Sequence, residues 1–209
     1  MDNSSTGEWY RSETKIFWND IATDNHIVQI YDDDSILLNT LTNYVIEGFN
    51  ADNCAIVIAT PNHLNILNTR LVKYGFDLNR LMATDDYIPL NAVETLSKFM
   101  VDGYPDEKYF METVGPIMKR ANKNGRQVRA FGEMVALLWE RGNSSATLQL
   151  EHLWNKFCAT ESFCLFCAYS KSGFSNDSSA AIMHICSAHS KLIEADEKFP
   201  SEILYKNVV

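Results

Sequence analysis

No stretch of this chain stays apolar for anything near the about eighteen residues that cross a bilayer, so no membrane-spanning helix is expected. A basic excess is missing too: 27 acidic residues against 18 basic ones leave a net charge of −9. Nucleic acid and anionic lipid both need a positive patch, so neither is an expected partner. Met1 to Gly7 lacks the basic start and apolar run of a secretory signal. Without that signal, an odd count of five cysteines implies reduced thiols and a cytoplasmic location. No Gly-Lys-Ser/Thr sequence occurs, which removes the phosphate loop of nucleotide hydrolases. No Gly-x-Ser-x-Gly elbow occurs either, so a hydrolase triad has no support.

What is present is ordinary globular material. The chain is 46% hydrophobic and 22% charged over 209 residues, enough for one sizeable core. Residues 1–22 read as a polar tail followed by a short aromatic-rich helix, with Trp9, Tyr10, Phe17 and Trp18 packing onto the domain. Residues 23–195 read as the domain itself, and 196–209 as a polar tail.

Strand and helix signals alternate along the domain. His26–Tyr31 is β-branched and ends in Asp32-Asp33-Asp34-Ser35, a helix N-terminus; the helix runs to about Glu47 and Gly48 stops it. Cys54–Ala59 is continuously apolar, as a strand buried on both faces is, and Thr60-Pro61 opens the next helix. Leu81–Thr84 reads as a weaker strand, Leu90–Met100 as a helix, Asp102–Pro105 as a turn and Glu107–Lys123 as a helix. Val128–Phe131 is a strand that breaks at Gly132-Glu133 into a helix pair. The second helix carries Leu150, Leu153, Trp154 and Phe157 at core-facing spacing. Phe163–Tyr169 is a strand, and Ala180 to about Leu192 a final helix. This rhythm predicts a three-layer α/β fold, a mostly parallel sheet of about five or more strands flanked by helices.

In such sheets ligands bind beyond the carboxyl ends of the strands. That rule gathers Tyr31, Thr60, His63, Asp85, Glu133 and Tyr169 along one edge. Glu133 has two readings there: a site carboxylate, or a residue that merely suits the dipole of the helix it opens. Cys164 and Cys167, with Cys186 and His189 further on, imitate a zinc ribbon. Yet residues three apart on a strand point to opposite faces, so buried thiols and no metal are expected.

The wording of several segments is specific. His26-x2-Gln29-x-Tyr31, Ala59-Thr60-x2-His63-Leu64, Arg129-Ala130-Phe131-Gly132-Glu133-Met134, Leu137-Leu138-Trp139, Leu150-Glu151-x-Leu153-Trp154, Cys167-Ala168-Tyr169 and Ile185-Cys186-x2-His189-Ser190 resemble the MEDS family. These are methanogen/methylotroph, DcmR-type sensory domains, and the match runs from about Asn25 to Ile193. The resemblance implies a fold similar to the RecA/KaiC ATPases without their phosphate loop, and a non-catalytic role in sensing a small organic molecule such as a hydrocarbon derivative.

It also implies a ligand site drawn from the shared motifs: His26, Gln29, Tyr31, Thr60, His63, Glu133, Trp139, Tyr169 and His189. Glu133 and His63 are expected to line one cavity with Tyr31. No cofactor is expected. The expected partners are a small organic ligand, a histidine kinase or transcription regulator that carries the output, and a second copy in a homodimer. Competing readings are an enzyme using Glu133 with His63, and an interaction module with a degenerate pocket.

Overall fold

A computed structural model of the chain describes residues 10–11, 18, 25–174, 185–196 and 199–207. Its frame is an eight-stranded sheet. The strands are β1 (Tyr10–Arg11), β2 (His26–Tyr31), β3 (Cys54–Ala59), β4 (Tyr87–Asn91), β7 (Val128–Gly132), β8 (Cys164–Ser170), β9 (Lys191–Asp196) and β10 (Phe199–Asn207). Two further strands, β5 (Met100–Val101) and β6 (Tyr104–Pro105), form a separate hairpin. The helices are α1 (Asp34–Asn50), α2 (Pro61–Lys73), α3 (Leu78–Ala83), α4 (Ala92–Ser97), α5 (Glu107–Ala121), α6 (Met134–Glu140) and α7 (Ser144–Cys158).

In space the sheet runs β1-β10-β9-β2-β8-β7-β3-β4. From β9 to β4 every pairing is parallel; β10 and β1 close one margin antiparallel. Alternation along the strands sorts the core into two layers. Ala55, Val57, Phe131 and Phe166 pack beneath α1, α2 and α3. Ile56, Ile58, Leu165 and Cys167 pack beneath α4 to α7. The expected three-layer parallel architecture is therefore present.

Local chemistry explains how the helices start. The Asp33 carboxylate accepts from Ser35 N–H at 2.7 Å, Thr60 caps α2 with Pro61 at its first position, and Asp77 accepts from Arg80 N–H at 3.1 Å to open α3.

That last cap corrects the expectation of a strand at Leu81–Thr84. Four apolar residues suit either structure, and Asp77 decides for a helix. The strand comes later, as β4, with Pro89 on the margin of the sheet where a missing N–H costs no ladder bond. The helix expected from Leu90 is accordingly shorter, starting at Ala92 with Asn91 as cap.

The final helix expected over Ala180–Leu192 begins in residues outside those described. Only a helical turn at Ile185–Ser187 appears, and Lys191–Asp196 is strand β9, parallel to β2. The polar tail expected over 196–209 contains β10. Most of the aromatic-rich helix expected before residue 22 lies outside the described residues; Tyr10 belongs to β1. Trp18 is buried against Tyr44 and Phe166, with ring centroids 4.8 and 5.8 Å away.

Candidate functional site

The carboxyl ends of β2, β3 and β7 bring three ionisable side chains into contact. Glu133 follows β7 and stands at the N-terminus of α6, but its carboxylate does not cap that helix. It reaches across to β3 and α2. Oε2 accepts from Thr60 N–H at 2.7 Å, and Oε1 accepts from His63 Nδ1–H at 2.6 Å. The other imidazole nitrogen, Nε2, faces Asp34 Oδ2 at 3.3 Å. So the carboxylate serves the N-terminus of α2 rather than capping its own helix.

Hydrogen bonding to Glu133 is the main reason why His63 is raised from 6.5 to about 9, with Asp34 adding and burial opposing. The ring is an imidazolium at neutral pH. Tyr31, at the end of β2, has its phenol pushed up first by burial and then by the charges of Glu133, Asp34 and Glu140. Its hydroxyl makes no hydrogen bond among the described residues. Glu140, on α6, has its own carboxyl raised by burial and by Glu133. Tyr31, Thr60, His63 and Glu133 thus form one cluster. Asp34, read from sequence only as part of a helix start, joins them. Asp85, expected on the same edge as the end of a strand, instead precedes β4 and pairs with Arg120 at the amino edge, because Leu78–Ala83 is a helix.

The remaining expected site residues lie elsewhere. Gln29 is fully buried beneath α1, where its Nε2 donates to Thr40 Oγ1 at 3.2 Å and its Oε1 has no partner among the described residues. Trp139 donates Nε1–H to Gly173 O at 2.7 Å and stacks obliquely on Phe174, fixing the loop after β8 onto α6.

His26, Tyr169 and His189 converge on the opposite face of the sheet from Tyr31, in the layer under α7. There they meet Glu151 of α7 and Cys167 of β8. His26 Nε2 lies 3.3 Å from Cys167 Sγ and 3.5 Å from Glu151 Oε2, and His189 Nε2 lies 3.5 Å from the same oxygen. The Tyr169 hydroxyl donates to Glu151 Oε1. All five residues are buried. Burial lowers both imidazoles from 6.5 to about 4 and raises the Glu151 carboxyl and the Cys167 thiol.

From the sequence, Glu151 has no expected site role and Cys167 is expected only as a buried thiol. The signal was available for Glu151: a carboxylate one helical turn from Trp154 and Thr147 belongs to the buried face of α7.

A cleft of ≈ 230 Å³ opens at the opposite, amino edge of the sheet, near Phe49, Phe76, Arg80 and Asp86. Its Arg126 is already paired with Asp86 and donates to Asp85 O at 2.9 Å. The chemistry concentrates instead at the two clusters.

The pattern described as "MEthanogen/methylotroph, DcmR Sensory domain" (MEDS) matches residues 25–190. The chain belongs to the MEDS family. That span contains both clusters, with Tyr31, His63 and Glu133 in one and His26, Glu151 and His189 in the other. No curated protein sequence matches this MEDS chain.

Solved structures resemble it in fold. The KaiC-like protein PH0186 of Pyrococcus horikoshii OT3 shares 10% identity at a TM-score of 0.58, covering 96% of this chain and 87% of that one. The protein of project PH0250 from the same organism shares 12% at 0.55, covering 87% of each. The flagellar accessory protein FlaH of Methanocaldococcus jannaschii shares 8% at 0.50, covering 83% and 72%. The MEDS domain here is thus KaiC-like in architecture. Among its described residues, no helix is long and apolar enough to cross a membrane.

Proposed function

We propose that this MEDS domain is a non-catalytic sensor that binds a small organic molecule at the carboxyl edge of β2, β3 and β7. Its state would then be passed to a separate histidine kinase or transcription regulator. One observation carries the reading: an imidazolium clamped between two carboxylates, beside a tyrosine hydroxyl that has no hydrogen-bond partner among the described residues. A general base needs a free lone pair and a pKa near the working pH. His63 has neither, because Glu133 and Asp34 engage both nitrogens and hold it protonated to about 9. The arrangement suits binding better than proton transfer.

It also speaks for the class of ligand. Helix N-termini attract anions, but here the chain's own carboxylates fill them: Glu133 on Thr60 N–H and Asp33 on Ser35 N–H. With Asp34 and Glu140 adjacent, a neutral or cationic molecule fits better than a phosphate.

Native mass spectrometry of freshly purified protein tests the reading, together with the Glu133→Gln variant. A retained organic mass that the variant loses, at a melting temperature close to wild type, is the expected result. Turnover of a small substrate that depends on Glu133 and His63 would overturn it in favour of an enzyme. If Glu133→Gln does not fold, the carboxylate is structural and the site assignment falls.

A further inference from the structure

Cys164 and Cys167 do point into opposite layers of the core, so they do not share a metal, but Cys167 meets side chains from other elements. Cys167 Sγ, His26 Nε2, His189 Nε2 and a Glu151 oxygen lie within 4.8 Å of one another. We propose that these four side chains bind one zinc ion, in a closed tetrahedral site that pins β2, β8 and the turn before β9 to α7.

Zinc takes nitrogen and oxygen ligands at about 2.0–2.2 Å and sulfur at about 2.3 Å, so tetrahedral neighbours stand about 3.3–3.6 Å apart. Three edges of the tetrahedron, at 3.3, 3.5 and 3.5 Å, already have that length.

The surrounding hydrogen bonds then aim the ligand atoms. A carbonyl oxygen only accepts, so His189 donates its Nδ1–H to Ile185 O at 2.6 Å, and a neutral ring leaves the Nε2 lone pair pointing inward. His26 is oriented likewise through Nδ1 and Asn155 Oδ1 at 2.8 Å, with Asn155 one turn beyond Glu151 on α7. Tyr169 holds the other Glu151 oxygen. Such outer partners are what zinc-bound histidines and carboxylates carry.

The decisive observation is a pair of orphans. Glu151 Oε2 and His189 Nε2 are both completely buried, face each other, and have no hydrogen-bond partner among the described residues. A lone pair set against a carboxylate oxygen is repulsive, and each unsatisfied buried group is costly. A cation between them removes both penalties. The charge closes as well: a thiolate and a carboxylate balance Zn²⁺, so the filled site is neutral, as a dry interior requires. Binding releases the Cys167 proton to solvent. The mixed nitrogen, oxygen and sulfur set, with no ligand position open, fits a structural zinc.

Metal analysis of the full-length, tag-free protein from zinc-supplemented medium tests this. About one zinc per chain is expected, with the metal lost in Cys167→Ser and in His189→Ala. X-ray absorption of the wild-type protein is expected to give one sulfur and three nitrogen or oxygen neighbours, so an unfolded variant does not block the test. Cobalt substitution should add a thiolate charge-transfer band.

A wild-type protein that neither carries zinc nor takes it up in equilibrium dialysis overturns the proposal. So does a site with two sulfurs, or a stoichiometry that both variants leave unchanged. An infrared band of a protonated Glu151, abolished by Glu151→Gln in zinc-free native protein, would show that a proton occupies the place assigned to the metal.

Discussion

His63 stores part of the fold's stability in its proton. The folded ring keeps that proton to about 9, whereas the unfolded chain gives it up near 6.5. The contribution is therefore complete below 6.5 and declines as the pH rises toward 9. The groups acting on the ring are Glu133 and Asp34, with Glu140 coupled to it more weakly. Melting temperature is expected to fall over that window in the wild type and to fall less in His63→Gln; equal slopes would show that the clamp adds no stability.

Arg129 is a second single-residue case. It donates Nε–H to Asn53 Oδ1 at 2.8 Å and further N–H groups to Tyr44 O and Trp18 O at 3.3 Å, while lying over the Tyr44 ring. Arg129→Ala strips partners from several buried oxygens. It is expected to cost about 2–4 kcal/mol in denaturant unfolding. A change under about 0.5 kcal/mol, the usual scale of a surface substitution, would mean that water replaces the guanidinium freely.

At the scale of elements, the short helix α6 is held at its far end by the loop after β8. Trp139 reaches Gly173 O, and a β-carbon on Gly173 would stand 2.9 Å from the indole ring. Gly173→Ala is expected to cost about 1–3 kcal/mol and to shift tryptophan emission as the indole moves. An unchanged melting temperature and spectrum would show that the loop yields freely.

Elements with one dominant signal were legible in the sequence. Cys54–Ala59 was apolar throughout and is buried throughout, and the break at Gly132-Glu133 marked where β7 ends. Strand ends then gave Tyr31, Thr60, His63 and Glu133 as neighbours. The buried cluster was harder to read, because His26, Glu151, Cys167 and His189 come from four separate segments that only the sheet order brings together. Strand β9 escapes the sequence for a related reason: Lys191 and Leu192 read as the end of a helix with no strand after them, and Lys191–Asp196 is a strand because it extends the sheet along β2.

For the molecule as a whole, the KaiC-like frame carries two of its edge amides already engaged by its own carboxylates. The sequence has no Gly-Lys-Ser/Thr loop, and Asp33 and Glu133 hold the Ser35 and Thr60 amides where a phosphate would approach. Calorimetry is expected to show no sub-micromolar ATP binding with or without magnesium. Tight binding would mean that the carboxylates swing aside.

The sheet order also bears on the sequence of events in folding. β2, near the beginning of the chain, pairs on both sides with strands from its far end, Val28 lying beside Cys167 and Leu192. β3, β4 and β7 are closer together along the chain. Loop-closure entropy therefore lets them join first, while β2 waits, both of its margins open, for β8 and β9 to be made. Pulsed hydrogen exchange during refolding is expected to protect β3 and β7 amides before those of β2, and simultaneous protection would refute that order. During that interval HIVQIY is the segment most exposed to pairing with another chain, so the nascent protein is most in need of a chaperone there.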